Sequence, residues 1–347
     1  MSPGLPAPSS AAPPSGDLRS VGETTTRPTD VAAPTPSPDP ARTAAAATLP
    51  DRIVFLGFGL IGGSIALALR EAGAKARLVA WTPEGTGPAE GLRRGILDEA
   101  PRNAAAALGG AKLVILAGPP RSVMAHMEHL AGPMRRFLTP DTTLTDVAST
   151  KALIVATAED LEIPFVGGHP MAGRETTGVA AATAALFIDR PWVVVPAEGT
   201  PERDVARVRA LATATGARAV PMAAIDHDLA VAAISHLPLI AAAALVESVA
   251  ADSERWNQAA PLAAGGWRDM TRLARGDAQM GADIIATNAR PIASQLRAYR
   301  DALDAWLEQL DAMTNESQPA MPSDSTVADL RARLDGAKAA LDRAPKP

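Results

Sequence analysis

Arg52-Ile53-Val54-Phe55-Leu56-Gly57-Phe58-Gly59-Leu60-Ile61-Gly62-Gly63-Ser64 decides the fold of this chain. Five strand-forming residues run into Gly57-x-Gly59-x-x-Gly62, and Ser64 to Arg70 continues with helical spacing. A strand, a glycine-rich turn and a helix, in that order, are the context in which GxGxxG binds a dinucleotide. Gly57 permits the tight turn, Gly59 lets the backbone approach a pyrophosphate, and Gly62 lets helix pack on strand. The exposed N–H groups of the first helical turn, Leu60, Ile61 and Gly62, then favour the anion together with the helix dipole.

Working outward, the next strand is expected at 77–81. Folds that bind NAD usually end this strand in an acidic residue that holds the ribose 2′-hydroxyl. Here the chain reads Ala80-Trp81-Thr82-Pro83-Glu84, so Thr82 stands in that place and Glu84 lies beyond a proline. No arginine follows at once to hold a 2′-phosphate. Thr82 is assigned to the cofactor site, and the choice between NAD and NADP stays open. Further strands are expected at 112–117, 142–147, 163–166 and 192–195, with helical patterns filling most intervals. That alternation predicts an α/β fold over 51–221, a Rossmann-type doubly wound parallel sheet. Ligands bind at the carboxyl ends of such strands. This brings Gly57, Gly118-Pro119-Pro120, Ser149 and His169 to one edge, with Gly118, Pro119 and Asp146 as further cofactor contacts.

After Pro221 the strand signals vanish. Long helical patterns from about Asp226 to Ala312 predict an all-helical second domain over 222–314. Residues 315–347 read as a polar linker and a last helix from Thr326 to Leu341, with Val327, Leu330, Leu334 and Ala337 on one face. Residues 1–50 hold 11 of the 31 prolines amid Ala, Ser and Thr. They offer too little apolar surface to offset ordering entropy, so disorder is expected, and removing residues 1–48 is expected to leave the fold unchanged.

The 347 residues are 47% hydrophobic, enough for more than one domain. The net charge of −5 carries no basic stripe for nucleic acid. With no cysteine, thiol catalysis, disulfides and cysteine-bound metal are excluded. No uncharged apolar stretch reads as long enough to span a bilayer, and Ala241 to Ala244 reads as part of a core helix. A soluble cytoplasmic protein is expected, with no membrane partner.

The clearest chemical motif is Gly167-Gly168-His169-Pro170-Met171-Ala172-Gly173, after the strand candidate Ile163 to Val166. Histidine titrates near neutrality and suits proton transfer, although a turn histidine is the bland alternative. Thr145-Asp146-Val147-Ala148-Ser149-Thr150-Lys151 follows a strand. There Asp146 is a candidate helix cap, and Ser149 reads equally as a cap or a catalytic hydroxyl. In Asp226-His227-Asp228 the first acid reads as an N-cap. Ser235-His236-Leu237-Pro238 places a proline where a helix must kink or start, beside a histidine that is either a core residue or a site residue. Arg268 and Arg272 are spaced i, i+4 on a helix pattern with Asp269 between them. They form either a clamp for two carboxylates, with Asp269 and Asp283 near enough to orient them, or a solvated face. His126 and His129 lack a third ligand and read as surface, so no metal is expected.

With these motifs in hand, the chain resembles the prephenate/arogenate dehydrogenase family over roughly residues 50–312. The resemblance rests on His169-Pro170-Met171-Ala172-Gly173-x-Glu175-x-x-Gly178, Ser235-His236-Leu237-Pro238 and Arg268-Asp269-x-Thr271-Arg272-x-Ala274, with Asp283-Ile284 and Asn288 beyond. It implies oxidative decarboxylation of prephenate to 4-hydroxyphenylpyruvate, or of arogenate to tyrosine, with NAD or NADP, in a homodimer built through the helical domain. It further implies that His169 accepts the proton of the substrate 4-hydroxyl and that Ser149 hydrogen-bonds that hydroxyl or steadies His169. Arg272 would bind a carboxylate with Arg268 and His236 assisting, and Glu175 and Asp269 would hold those groups. Prephenate and arogenate differ in a keto group against an ammonium, and no residue announces a partner for the latter. The head and tail leave no room for a fused regulatory or mutase domain, so tyrosine inhibition is expected to be competitive. The alternatives are another reductase of this architecture, acting on β-hydroxyacids or imines, and a non-catalytic nucleotide sensor. Against the β-hydroxyacid reading, no lysine occurs between Ile225 and Asn315. Against the sensor, His169 and Arg272 are both present.

Overall fold

The computed structural model describes residues 39–174, 176–314 and 323–344. Seven strands form one sheet: β1 Arg52–Leu56, β2 Arg77–Trp81, β3 Leu113–Leu116, β4 Thr143–Asp146, β5 Val166–Pro170, β6 Pro191–Pro196 and β7 Arg218–Pro221. Their spatial order is β2-β1-β3-β4-β5-β6-β7. The helices up to β7 are α1 Pro40–Ala47, α2 Leu60–Glu71, α3 Thr86–Arg93, α4 Ala104–Leu108, α5 Pro120–Ala131, α6 Ala152–Asp160 and α7 Glu202–Ala214.

Strand periodicity explains the layering, because successive side chains point to opposite faces. Ile53 and Phe55 of β1 join one apolar core with Ile65 and Leu69 of α2 and Val208 of α7. Val54 and Leu56 join the other, with Met127 of α5 and Ile154 of α6. The strand order reverses between β1 and β3, which opens the ligand crevice at their carboxyl ends.

Three sequence expectations change here. First, the sheet is not wholly parallel, since β5 and β6 run antiparallel. Among the described residues their connection contains the 3₁₀ turns Val179–Ala181 and Ala184–Phe187 and no crossover helix, and the chain returns alongside in the opposite sense. A short seventh strand, β7, follows the crossover helix α7 and pairs in parallel with β6. Second, β5 is Val166–Pro170, not 163–166, so His169 lies on the strand rather than in a turn beyond it. Gly167 and Gly168 read as turn residues because of their conformational freedom, but their use is room. A Cβ on Gly167 would sit 3.0 Å from the Lys151 chain, and one on Gly168 would sit 2.9 Å from the Trp192 indole nitrogen.

Third, the head is not featureless up to residue 50. Asp39 accepts a hydrogen bond from Ala41 N at 2.9 Å and caps α1, with Pro40 in its first turn. These are start signals that a proline-rich composition conceals. Helix α1 packs on α7. Arg42 reaches the Ala214 carbonyl at 3.3 Å and the Glu71 carboxylate at 3.6 Å, and Ala46 is buried. The remainder of the predicted disordered head, 1–38, lies outside the described residues. Deleting 1–48 is therefore expected to lower stability by about 1–3 kcal/mol. Deleting 1–37 is the control, and equal melting temperatures for the two truncations would refute the role of α1.

Beyond β7 the chain is helical: α8 Ala224–Val231, α9 Leu237–Ala250, α10 Ser253–Ala259, α11 Gly265–Thr271, α12 Ala278–Thr287, α13 Ala289–Thr314 and α14 Asp324–Arg343. A π turn, Ala232–His236, joins α8 to α9. Pro238 explains it: a residue without an N–H and with a bulky ring disturbs the preceding hydrogen-bond ladder. Asp226 is not the expected N-cap; it lies inside the first turn of α8, behind Ala223. The run Ala224–Ala250 is long and apolar enough to cross a membrane, with only 22% of its most apolar window buried. This corrects both the expected absence of such a stretch and the reading of Ala241–Ala244 as core, because only Ala242 of those four is buried. The two apolar cores both flank the sheet, so the helices leave Ile225, Ile234 and Leu307 exposed. The last helix is placed as expected, but Val327 and Leu334 of its apolar face are exposed. Instead, Arg333 stacks 3.8 Å from the Trp306 ring centroid and docks α14 on α13.

Candidate active site

The β1–α2 turn is built by close approach. Gly57 has φ +100°, and a Cβ there would lie 2.3 Å from the Ala117 carbonyl oxygen. Its N–H donates to the Trp81 carbonyl at 2.9 Å, which joins the ends of β1, β2 and β3. A Cβ on Gly62 would lie 3.2 Å from the Gly57 carbonyl. Gly59 differs: nothing lies within 4 Å of its Cβ direction. It precedes α2, whose first N–H groups, on Leu60, Ile61 and Gly62, have no intrahelical acceptor. An open glycine in front of free amides fits a dinucleotide pyrophosphate. Thr82 closes the end of β2 by accepting from Gly85 N at 3.0 Å. Gly118 and Pro119 lead from β3 into α5 at the same edge. His126 is half-buried rather than surface, with its ring 6.2 Å from that of Trp81, and burial lowers its pKa. His129 is exposed as expected.

Asp146 departs from its expected role. It is fully buried at the end of β4 and pairs with the Lys151 ammonium, itself fully buried. Its carboxylate also accepts from Gly168 N and Ala148 N, each at 2.9 Å. With these donors and no exposed surface it neither meets a cofactor nor caps α6; it braces the floor under His169. Burial raises the Asp146 pKa and lowers that of Lys151, while their pairing opposes both shifts.

The cap of α6 comes from α8, across the chain. Asp228 Oδ1 accepts from Lys151 N at 2.7 Å and Oδ2 accepts from Ala152 N at 2.8 Å. Asp228 Oδ1 also lies 2.7 Å from His227 Nδ1, and His227 Nε2 lies 2.8 Å from His169 Nδ1. The two imidazoles meet edge to face. Asn288 Nδ2 donates to the Asp228 carbonyl at 2.8 Å and lies 3.1 Å from His236 Nδ1. His236 Nε2 is buried and has no partner among the described residues. Burial holds His236 down to about 4 and His169 well below the ordinary imidazole value, and neighbouring His227 lowers both. Both rings are therefore neutral at neutral pH.

Ser149 lies half-buried in the β4–α6 loop, between the Asp146 contact at Ala148 and Thr150, whose hydroxyl meets Thr287 at 2.9 Å. The arginines are not arranged as expected. α11 ends at Thr271, and Arg272 opens the 3₁₀ turn Arg272–Arg275, so Arg268 and Arg272 do not share one continuous α-helix. Gly276 and the N-cap Asp277 follow closely and tighten the chain there. Arg268, Asp269 and Arg272 are exposed, and their segment packs on α9. Asp283 is buried on α12 and accepts from Gln279 at 2.9 Å. Glu175 lies outside the described residues. His227, Asp228 and Asn288 stand in quoted motifs of the sequence but carry no assigned role there; a histidine flanked by two acids was the available signal.

Residues 65–221 match the nucleotide-binding domain of prephenate dehydrogenase, and 223–320 match its dimerization domain. A prephenate dehydrogenase of Bacillus subtilis is 33% identical over 264 residues, covering 75% of this chain and 68% of the relative. A cyclohexadienyl dehydrogenase of Zymomonas mobilis is 30% identical over 254 residues, covering 68% of this chain and 80% of the relative. The crystal structure of Synechocystis arogenate dehydrogenase superposes with a TM-score of 0.67 at 30% identity, covering 84% of this chain and 99% of that one. Both halves of the chain are thus matched in the order in which the fold presents them, and the chain belongs to the prephenate dehydrogenase family of oxidoreductases.

Proposed function

We propose that His169 is the proton acceptor in the oxidative decarboxylation of prephenate or arogenate by this chain, on the route to tyrosine. The observation that carries this reading is a neutral, buried His169 at the same sheet edge as the glycine turn. NAD or NADP, when bound at Gly57, Gly59, Leu60, Ile61, Gly62, Thr82, Gly118 and Pro119, supplies the hydride acceptor. His169 takes the proton of the 4-hydroxyl as hydride leaves C4, and returns it to the phenolate oxygen once carbon dioxide has left and the ring is aromatic. Such a reaction asks the protein to orient its reactants and to remove one proton. Ser149 hydrogen-bonds the same hydroxyl. His236 offers its unpartnered Nε2 to the substrate, since Nδ1 faces Asn288. Arg272 holds a substrate carboxylate, with Arg268 assisting and with Asp269 and Glu175 as its supports. Residues 51–221 serve as the nucleotide domain and 222–314 as the dimer-forming one.

The protein is read as a cytoplasmic homodimer whose partner covers the exposed faces of α8, α9 and α13. A lipid span is the poorer reading of Ala224–Ala250, because its first turns carry His227 and Asp228 in polar contacts with the sheet domain and its centre carries a buried His236 against Asn288. Tyrosine presents a phenol and a carboxylate to the same groups and competes with substrate. A hydrogen bond to a charged group contributes about 1.5–3 kcal/mol. Arg272→Ala is therefore expected to raise KM about 10- to 100-fold and to weaken tyrosine inhibition in parallel. An unchanged KM would remove Arg272 from the site. The test of the whole reading is initial rates with prephenate and arogenate, each with NAD and NADP. Turnover in at least one pairing is expected, and none in all four would overturn it.

A further inference from the structure

The structure assigns His227 and Asp228 a positioning role: together they fix the tautomer of His169, so that its Nε2 lone pair faces the reaction. This rests on the reading of His169 as proton acceptor.

Hydrogen-bond logic sets the direction of the chain. Two of the three groups facing the Asp228 carboxylate are backbone N–H groups, of Lys151 and Ala152, and these can only donate. Both oxygens are therefore acceptors, and with Asp228 as a carboxylate the contact at Oδ1 takes its hydrogen from His227. His227 Nδ1 must carry the hydrogen in that contact. A neutral His227 then has a bare Nε2, which accepts from His169 Nδ1–H at 2.8 Å. A neutral His169 with Nδ1–H has a bare Nε2, and that nitrogen has no hydrogen-bond partner among the described residues. The reverse arrangement needs a cationic His227 in a buried position, and would leave His169 with Nε2–H and no lone pair to offer there.

The same carboxylate serves a second purpose. By capping α6 at Lys151 N and Ala152 N it anchors the loop that carries Ser149. Asn288 ties the Asp228 carbonyl to His236. One element of the helical region, α8, thus sets the base and the serine loop together. When His169 gains a proton, its Nδ1–H already points to an acceptor backed by a negative charge, and no heavy atom has to move.

The test uses the full chain, whichever substrate and cofactor it turns over, and steady-state rates across pH. The charged and titratable groups facing His169 are His227 and Asp228 from α8, Asp146 and Lys151 beneath β5, and His236 from the π turn. His227→Leu removes the acceptor and is expected to lower kcat about 10- to 100-fold with KM for substrate and cofactor nearly unchanged. Its acid limb should move away from the wild-type position, because protonated His169 loses the acceptor of its Nδ1 hydrogen. His227→Gln, whose carbonyl can accept the Nδ1 hydrogen, should recover part of the rate and shift the limb less. If His227→Leu does not fold, the acid limb of His227→Gln decides: a shift supports the role and a wild-type limb overturns it. Equal losses in both variants with KM raised alongside would mark lost packing only and overturn it. Unchanged kinetics in His227→Leu, with His169→Asn inactive, would overturn it while sparing His169. An active His169→Asn would instead overturn the reading of His169 itself.

Discussion

His169→Asn is expected to lower kcat by about 100-fold or more while substrate and cofactor still bind. The asparagine amide can donate to His227 Nε2 as the Nδ1–H does in the 2.8 Å contact, so β5 and α8 should stay joined. What is lost is the lone pair that takes the substrate proton. The pH profile should agree. The pKa of His169 lies well below 6.5 because burial disfavours the imidazolium, with His227, Lys151 and His236 acting in the same direction. The base is therefore ready at neutral pH, and kcat should fall only as acidity rises well below that value. In His169→Asn this limb should vanish with the activity. Near-normal turnover in the variant, or an acid limb at or above 6.5, would remove His169 from the proton transfer.

Asp146→Ala should produce the largest loss of stability. Asp146 and Lys151 are both fully buried and paired. Removing one member of such a pair leaves the other charge without compensation and costs about 3–5 kcal/mol. The midpoint of chemical denaturation should fall accordingly. The double variant Asp146→Ala/Lys151→Met removes both charges and should recover part of this loss. Full recovery is not expected, because Gly168 N and Ala148 N also donate to Asp146 and would still lack an acceptor. An unchanged midpoint in Asp146→Ala would mean that the Lys151 ammonium reaches water. The variant should also lower kcat through His169, since Gly168 adjoins it on β5.

Local pattern carried much of the fold. The β1–α2 unit, the bounds of β1 and β2 and the change to helices after β7 all follow from residue spacing that one segment contains by itself. Period-2 and period-3.6 burial is a local property, and so is a glycine turn. The antiparallel turn of β5 and β6 was not legible, because it depends on a missing crossover helix between 170 and 191 rather than on either strand. Helix α1 was hidden for a different reason. Asp39-Pro40 is a sound start signal, but composition averaged over 50 residues buries it among prolines.

The sequence by itself determined which residue types were available: a glycine cradle, one histidine between glycines and a proline on β5, and arginines without a nearby lysine. It could not say how they were joined. Asp146 read as a cofactor contact and became a buried brace; Asp228 carried no role in its motif and became the cap of a helix 76 residues away in the chain. Both outcomes follow from burial. Taken out of water, a carboxylate must collect donors, and tertiary packing alone decides whether they are Gly168 N, Lys151 Nζ or an imidazole.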